Sequence, residues 1–247
     1  MGSKKYLIVN ADDFGQSSKT NRGIIQAHKH GVVTSASLMV RWPAAIEAAA
    51  YGHDHPSLSL GIHIDLGEWR YQQEAWIPVY EVTKVHDRVA VAKEVSNQLA
   101  AFRRLVGSEP SHIDSHQHSH LNEPLRTVLL ELSRQLGIPL RHCSPAIRYC
   151  GDFYGQTAEG VSLPDRISVA AFLGLLEKLE PGVTELGCHP GYPGDLNTMY
   201  QSERELEIQV LCDSRVRAAI TSAQINLCSF LTAPHVNEIT QHGLSNA

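Results

Sequence analysis

The segment Asp114–Ser115–His116–Gln117–His118–Ser119–His120 carries three imidazoles at i, i+2 and i+4, with a carboxylate two residues before the first. In an extended strand alternate side chains share a face. Asp114, His116, His118 and His120 therefore point one way for as long as the strand continues. An apolar core has no use for four such groups together, whereas a divalent metal takes neutral imidazole and carboxylate as ligands. A polar strand end or a solvated turn would account for one isolated His; the cluster favours a metal site.

Three other segments hold chemistry-bearing residues. Asp12 and Asp13 follow an apolar run directly. Adjacent buried carboxylates repel, and a cation or a shared proton must relieve them. One Asp bound to a metal would leave the other free to act as a base; the plainer alternative is a helix cap or Asx turn leading to Ser17 and Ser18. Gly61–Ile62–His63–Ile64–Asp65 places His63 and Asp65 on one strand face, with Asp65 expected to orient an imidazole. Gly187–Cys188–His189–Pro190–Gly191 fixes one imidazole in a stiff loop, which suits a positioned general acid as well as an ordinary turn. Trp69, Tyr71, Trp76 and Tyr80 crowd the stretch after His63. Such aromatics could stack on sugar faces, fold the insertion onto the protein or make a dimer contact.

The elements that must position these groups alternate along the chain. Apolar strand patterns at Tyr6–Ala11, Val32–Val40, Leu58–Leu66, His112–His116, Pro139–Cys143, Val183–Cys188 and Gln224–Phe230 are separated by helical patterns. The helices fall at Thr20–His30, Pro43–Tyr51, Val89–Val106, Pro124–Leu136, Val169–Leu179 and Glu203–Ser222. Residues 67–88 read as a polar and aromatic insertion, 144–167 as weakly patterned, and the tail to Ala247 as polar. This order predicts an α/β protein, a single domain over 1–247, with about seven parallel strands in a distorted (β/α) barrel. Asp12, Asp13, His63, Asp65, His116, His118 and His189 all fall at strand carboxyl ends, with Arg141 in the fifth strand. In a parallel barrel those ends meet on one face, where active sites form.

The chain has 247 residues, 43% hydrophobic and 19% charged, with a net charge of −5. It is long enough for a sizeable core. It has no basic block, so nucleic acid is not an expected partner. Five cysteines without a CxxC pair read as free thiols in a reducing compartment. The strand pattern begins by Tyr6, leaving no room for a signal peptide, and no apolar run approaches the ~18 residues of a membrane span. The cytoplasm is the expected location, and the apolar helices would tolerate a homodimer interface.

With those residues in view, the chain resembles the YdjC-like carbohydrate deacetylases, whose best-known members are chitooligosaccharide deacetylases. The resemblance rests on LIVNADDFG (7–15), GVVTSASLMV (31–40), GIHIDLGE (61–68), HIDSHQHSH (112–120), IPLRH (138–142) and ELGCHPG (185–191), in order and spacing. It implies a barrel related to the polysaccharide deacetylases and hydrolysis of an N-acetyl group on an amino sugar or oligosaccharide, with one divalent cation. Carried over by motif, Asp13, His63 and His116 are the metal ligands, Asp12 the base and His189 the acid. His118 and Arg141 are expected to steady Asp12 or the ligands, with Asp65 and Trp69 near the ligands or substrate. Two imidazoles and a carboxylate suit Zn²⁺, Co²⁺ or Mn²⁺ better than Mg²⁺. The stretch Ile64–Asp65–Leu66–Gly67–Glu68–Trp69 departs from the more polar sequence of many relatives, which leaves the sugar open. The rival readings are another metal-dependent barrel enzyme, such as a sugar isomerase or phosphoesterase, and a non-catalytic, metal-stabilised sugar-binding protein.

Overall fold

Strand and helix alternate in the folded chain much as the hydrophobic pattern predicts. The computed structural model describes residues 4–234. In chain order its elements are β1 (Lys5–Phe14), α1 (Ser18–His30), β2 (Ser35–Leu38), α2 (Ala45–Asp54), β3 (Ser59–Ile64), β4 (Gly67–Gln72), β5 (Ala75–Glu81) and α3 (Arg88–Val106). There follow β6 (Ile113–Ser115), α4 (Leu125–Leu136), β7 (Ile147–Cys150), α5 (Val169–Lys178), β8 (Gly182–Cys188), α6 (Ser202–Leu211), α7 (Ser214–Ser222) and β9 (Asn226–Leu227). Short 3-10 turns span His116–Leu121 and Pro164–Ile167.

The main sheet has seven strands, ordered β6-β3-β2-β1-β8-β7, with β9 beside the start of β1. All its pairings are parallel. Beyond β6, Leu140 forms a single parallel bridge to Ile113. The next residue, Arg141, reaches Glu185 on β8 with its Nε at 2.7 Å. The sheet is thus curled into an incomplete barrel, and a side chain spans its interior.

Alternation along β1 separates two environments. Leu7, Val9 and Ala11 face the helices and join the main core. Ile8, Asn10 and Asp12 face the interior. Around Ile8 the interior is apolar, filled by Ile147, Val183, Cys228 and Phe230. Above that plug it turns polar. The His112 ring stacks on Phe230 at 3.7 Å, Asn10 Nδ2 donates to Ser37 Oγ at 2.8 Å, and Ser37 Oγ donates to Asp114 Oδ2 at 2.6 Å. Two glycines make this interior possible: a Cβ on Gly61 would lie 2.3 Å from the His112 ring, and one on Gly187 would lie 2.5 Å from Tyr149 Oη.

Local signals explain most helix ends. Ser17 caps α1, its Oγ accepting from Thr20 N at 3.0 Å. Asp87 caps α3 by accepting from Val89 N and Ala90 N. Gly107 and Gly137 end α3 and α4 in the left-handed conformation. The expected single helix over 203–222 is two helices, because Asp213 takes an extended conformation and caps α7 through Arg215 N. The expected strand at Pro139–Cys143 reduces to the Leu140 bridge, so Arg141 sits in a turn. The unpatterned segment 144–167 contains β7. The insertion at 67–88 folds as the antiparallel hairpin β4–β5. Most of the polar tail to Ala247 lies outside the described residues. Among the described residues no helix is long and apolar enough to cross a membrane.

Candidate active site

The end of β1 supplies two adjacent carboxylates, and in a regular strand these would face opposite ways. Here the β1–β2 register shifts between Ala11 and Phe14, and Asp13 takes φ +65°. A bulge with one left-handed residue re-aims a side chain, and both Asp12 and Asp13 line one cavity of about 670 Å³. The helix-cap alternative does not apply to them, since Ser17 caps α1.

The repulsion between the two is met by two arginines. Arg141 grips Asp12 with both terminal nitrogens, at 2.6 and 2.7 Å. Arg204 Nη2 donates to Asp13 Oδ2 at 2.6 Å. Burial alone would raise both carboxyls, but the guanidinium charges outweigh it and hold each below the usual range. Asn10 Nδ2 also donates to Asp12 Oδ1 at 2.9 Å. Asp12 is therefore an ionised, fixed acceptor at the cavity wall.

Asp13 Oδ1 faces two imidazoles: His116 Nδ1 at 3.0 Å and His63 Nε2 at 3.4 Å. All three residues are buried, and one ligand atom from each lies within 4.8 Å of the others. Behind His63, its Nδ1 meets Asp114 Oδ1 at 2.7 Å. A carboxylate on the far ring nitrogen fixes the tautomer and leaves Nε2 as the donor, as in metal-bound histidines. Burial pushes His63 down, but Asp114 and Asp13 lift it to about 9. His116 is likewise raised, by Asp13 and Glu68 against burial. Its Nε2 is buried with no hydrogen-bond partner among the described residues, 3.6 Å from Glu68 Oε2. The pocket is thus built to hold positive charge, and a divalent cation can take the place of those imidazole protons. The donor set fits such an ion.

His189 follows β8 on the opposite wall. Its Nε2 lies 3.7 Å from Asp12 Oδ2. Its backbone N donates to Glu207 Oε2 at 2.5 Å, and Glu207 also accepts from Tyr200 Oη. Burial pushes His189 down to about 4 against the pull of Asp12 and Asp13, so the resting imidazole is neutral.

Of the sequence-predicted residues, Asp12, Asp13, His63, His116, His118, Trp69 and His189 line the one cavity, and Arg141 stands directly behind Asp12. Two roles need correction. Asp65 touches no imidazole: it accepts from Arg41, Trp42, Tyr80 and the Gly67 backbone, and so pins the root of the hairpin. His118 makes no hydrogen bond to Asp12 or the ligands; its Nε2 lies 3.4 Å from Tyr149 Oη. The shared strand face of Asp114, His116, His118 and His120 does not exist either. β6 ends at Ser115, and Gln117 and His118 both take φ +51°.

Sequence reasoning left Glu68, Glu185, Arg204 and Glu207 without a site role, and grouped Asp114 with the three imidazoles but gave it no place in the final ligand set. Asp114 and Glu68 lie inside motifs already singled out. Arg204 and Glu207 are an i, i+3 pair of charges on the buried face of α6, a visible oddity in an otherwise ordinary helix.

The rim is aromatic. Hairpin β4–β5 brings Trp69 and Trp76 to the cavity. Gln117 holds the hairpin down, accepting from Trp69 N at 2.9 Å and donating to Trp69 O at 2.7 Å.

Known proteins resemble the chain along most of its length. The chain is 32% identical to a carbohydrate deacetylase of Geobacillus stearothermophilus, covering 92% of this chain and 97% of that protein. It is 31% identical to a chitooligosaccharide deacetylase of Serratia marcescens, covering 92% and 98%. A crystal structure from Enterococcus faecalis V583, provisionally named a cellobiose-phosphate cleavage protein, superposes with TM-score 0.71 at 29% identity, over 93% of this chain and 98% of that one. A family 4 carbohydrate esterase from Streptomyces lividans shares the fold, with TM-score 0.54 at 13% identity over 92% and 93% of the two chains. The family model described as YdjC-like protein matches residues 6–222. By that match and those identities, the chain belongs to the YdjC-like family.

Proposed function

We propose that the protein is a metal-dependent carbohydrate deacetylase that hydrolyses the N-acetyl group of an amino sugar or oligosaccharide. The observation that carries this reading is the pairing, at one cavity, of the Asp13–His63–His116 donor set with an arginine-clamped Asp12 and a neighbouring His189. The names of the relatives point the same way. The fit of the donor set favours Zn²⁺, Co²⁺ or Mn²⁺, with Mg²⁺ as the harder alternative.

A divalent cation held by Asp13, His63 and His116 would supply Lewis-acid polarisation of the acetyl carbonyl. Asp12 takes the proton of the attacking water. Arg141 keeps Asp12 ionised and aimed, and Asn10 fixes its orientation. His189 is neutral at rest, so it enters the reaction as a proton carrier rather than a stored acid. The proton taken by Asp12 is one short transfer from His189 Nε2, which then delivers it to the departing amine. Trp69 and Trp76 stack on the sugar faces. The reading covers 1–247 as one domain, and its five unpaired cysteines suit a reducing compartment such as the cytoplasm.

An acetate-release screen tests this directly. Chelated protein is supplied with Zn²⁺, Co²⁺, Mn²⁺ or Mg²⁺ and offered N-acetylglucosamine, its oligomers and nucleotide- or lipid-linked forms. Acetate release from at least one, restored by metal, is expected. Silence with every metal, or sugar interconversion without acetate, would sink the reading.

A further inference from the structure

The turn that carries His116 also carries a second cluster that the proposed reaction does not use. His118, His120 and His142 each offer a ring nitrogen within 4.8 Å of the other two. The ring centroids lie 5.3 Å apart for His118–His142 and 5.7 Å apart for the other two pairs. His142 comes from the far side, just after the Leu140 bridge and Arg141.

The hydrogen bonds divide the ring nitrogens into partnered and unpartnered ones. The partnered ones orient the rings: His118 Nε2 lies 3.4 Å from Tyr149 Oη, and His120 Nδ1 lies 2.7 Å from Ser115 Oγ. The unpartnered ones, His118 Nδ1 and His120 Nε2, are buried and have no partner among the described residues. His120 itself is 0% exposed. Buried polar atoms are nearly always satisfied, so two orphans beside a third imidazole call for an occupant. An imidazole oriented through one nitrogen with the other left as a lone pair is the arrangement of a metal ligand. Exposed His142 gives the entry path. His118 and His142 both hold a left-handed backbone, φ +51° and +64°, a conformation that surrounding contacts must compensate.

We propose that His118, His120 and His142 form a second metal site, separate from Asp13, His63 and His116, that takes a borderline transition-metal ion, with Zn²⁺ the leading choice. Three imidazoles with no carboxylate discriminate against Mg²⁺ and Ca²⁺. The ion clasps the His116–Leu121 turn to the segment after Leu140. Those two segments position His116 and Arg141, so the clasp supports the neighbouring site without touching its chemistry.

Metal counting tests the proposal independently of any activity. Chelated full-length protein is loaded with Zn²⁺, desalted and assayed by elemental analysis, with thermal melts run in parallel. Two Zn²⁺ per chain are expected for the wild type, and one each for His142→Ala and for the Asp13→Ala/His63→Ala double variant. The double variant should keep a Zn²⁺-dependent rise in melting temperature, lost when His142→Ala is added, and Mg²⁺ should give none. His142 is exposed, so its truncation removes only its ring contacts with His118, His120 and Tyr149, and circular dichroism verifies the fold. A wild-type count of one that vanishes in the double variant overturns the proposal. So does a His142→Ala protein that binds as much Zn²⁺ as the wild type.

Discussion

The two ends of the barrel interior are built by the same strands and have opposite characters. β1 presents Ile8, then Asn10, then Asp12; β8 presents Val183, then Glu185, then Gly187; β7 presents Ile147, then Tyr149. The lower end is an apolar plug closed by Cys228 and Phe230. The upper end holds buried charges, each with its partner: Arg141 against Asp12, Asp114 and Glu185, and Arg204 against Asp13. A step of two residues along one strand moves from packing to chemistry. On the proposed function the upper end carries the reaction, so the lower end can be altered at a cost in stability alone, while the upper end tolerates charge only because each charge has a fixed counterpart.

The sharpest break of this comparison is at Arg141. Arg141→Met would strand Asp12, Asp114 and Glu185 together, which is expected to cost about 3–5 kcal/mol of stability. Activity should fall with it, because Asp12 loses both its aim and its ionised state. Urea unfolding and acetate release on one preparation read both effects. A stable, active Arg141→Met protein would show that the two ends are not as different as described.

At the lower end, Ile8→Ala should cost about 2–4 kcal/mol by the cavity it leaves, with kcat within about twofold of wild type in the protein that remains folded. A large kcat loss there would show that the plug and the site are coupled.

How far this division was legible in the sequence depends on the element. Asp12, Asp13, His63 and His189 were readable because each falls at or within two residues of the end of a largely apolar strand. The His116–His118–His120 alternation was misleading for a physical reason. A period of two imitates a strand face, but the left-handed residues Gln117 and His118 wind the chain into a turn, and only His116 reaches Asp13. Arg141 was found as a residue but assigned to a strand, since a one-residue bridge leaves no hydrophobic pattern. Strand β7 escaped because its residues Arg148 and Tyr149 are polar or half-buried and the strand has only four residues. Arg204 lies 191 residues from Asp13, its ion-pair partner, and no local spacing rule connects them.

A subtler contrast lies in pH. Burial lifts Glu207 to about 8, above its value in the unfolded chain. A carboxyl raised in this way contributes stability while it is protonated, below the unfolded value, and that contribution fades as pH rises through about 8. Between pH 5 and 8 the wild type should lose melting temperature relative to Glu207→Gln, and the lower-end variant Ile8→Ala should follow the wild-type slope. Parallel slopes for wild type and Glu207→Gln would show that Glu207 is ionised throughout.

The smallest effect is expected at the rim. Trp76 is 50% exposed and makes no hydrogen bond to the site, so Trp76→Ala should raise KM severalfold for an oligosaccharide and leave kcat nearly unchanged. A kcat loss without a KM change would remove the hairpin from substrate binding.

The central claim is that Asp12 serves the reaction while Asp13, His63 and His116 serve the cation. The measurement that meets it most directly is Asp12→Asn assayed for bound metal and for acetate release on the same preparation. Metal content equal to wild type with turnover reduced by about 10²–10⁴-fold is expected, the range for loss of a general base. An Asp12→Asn protein that keeps full turnover, or one that loses its metal, would contradict the assignment.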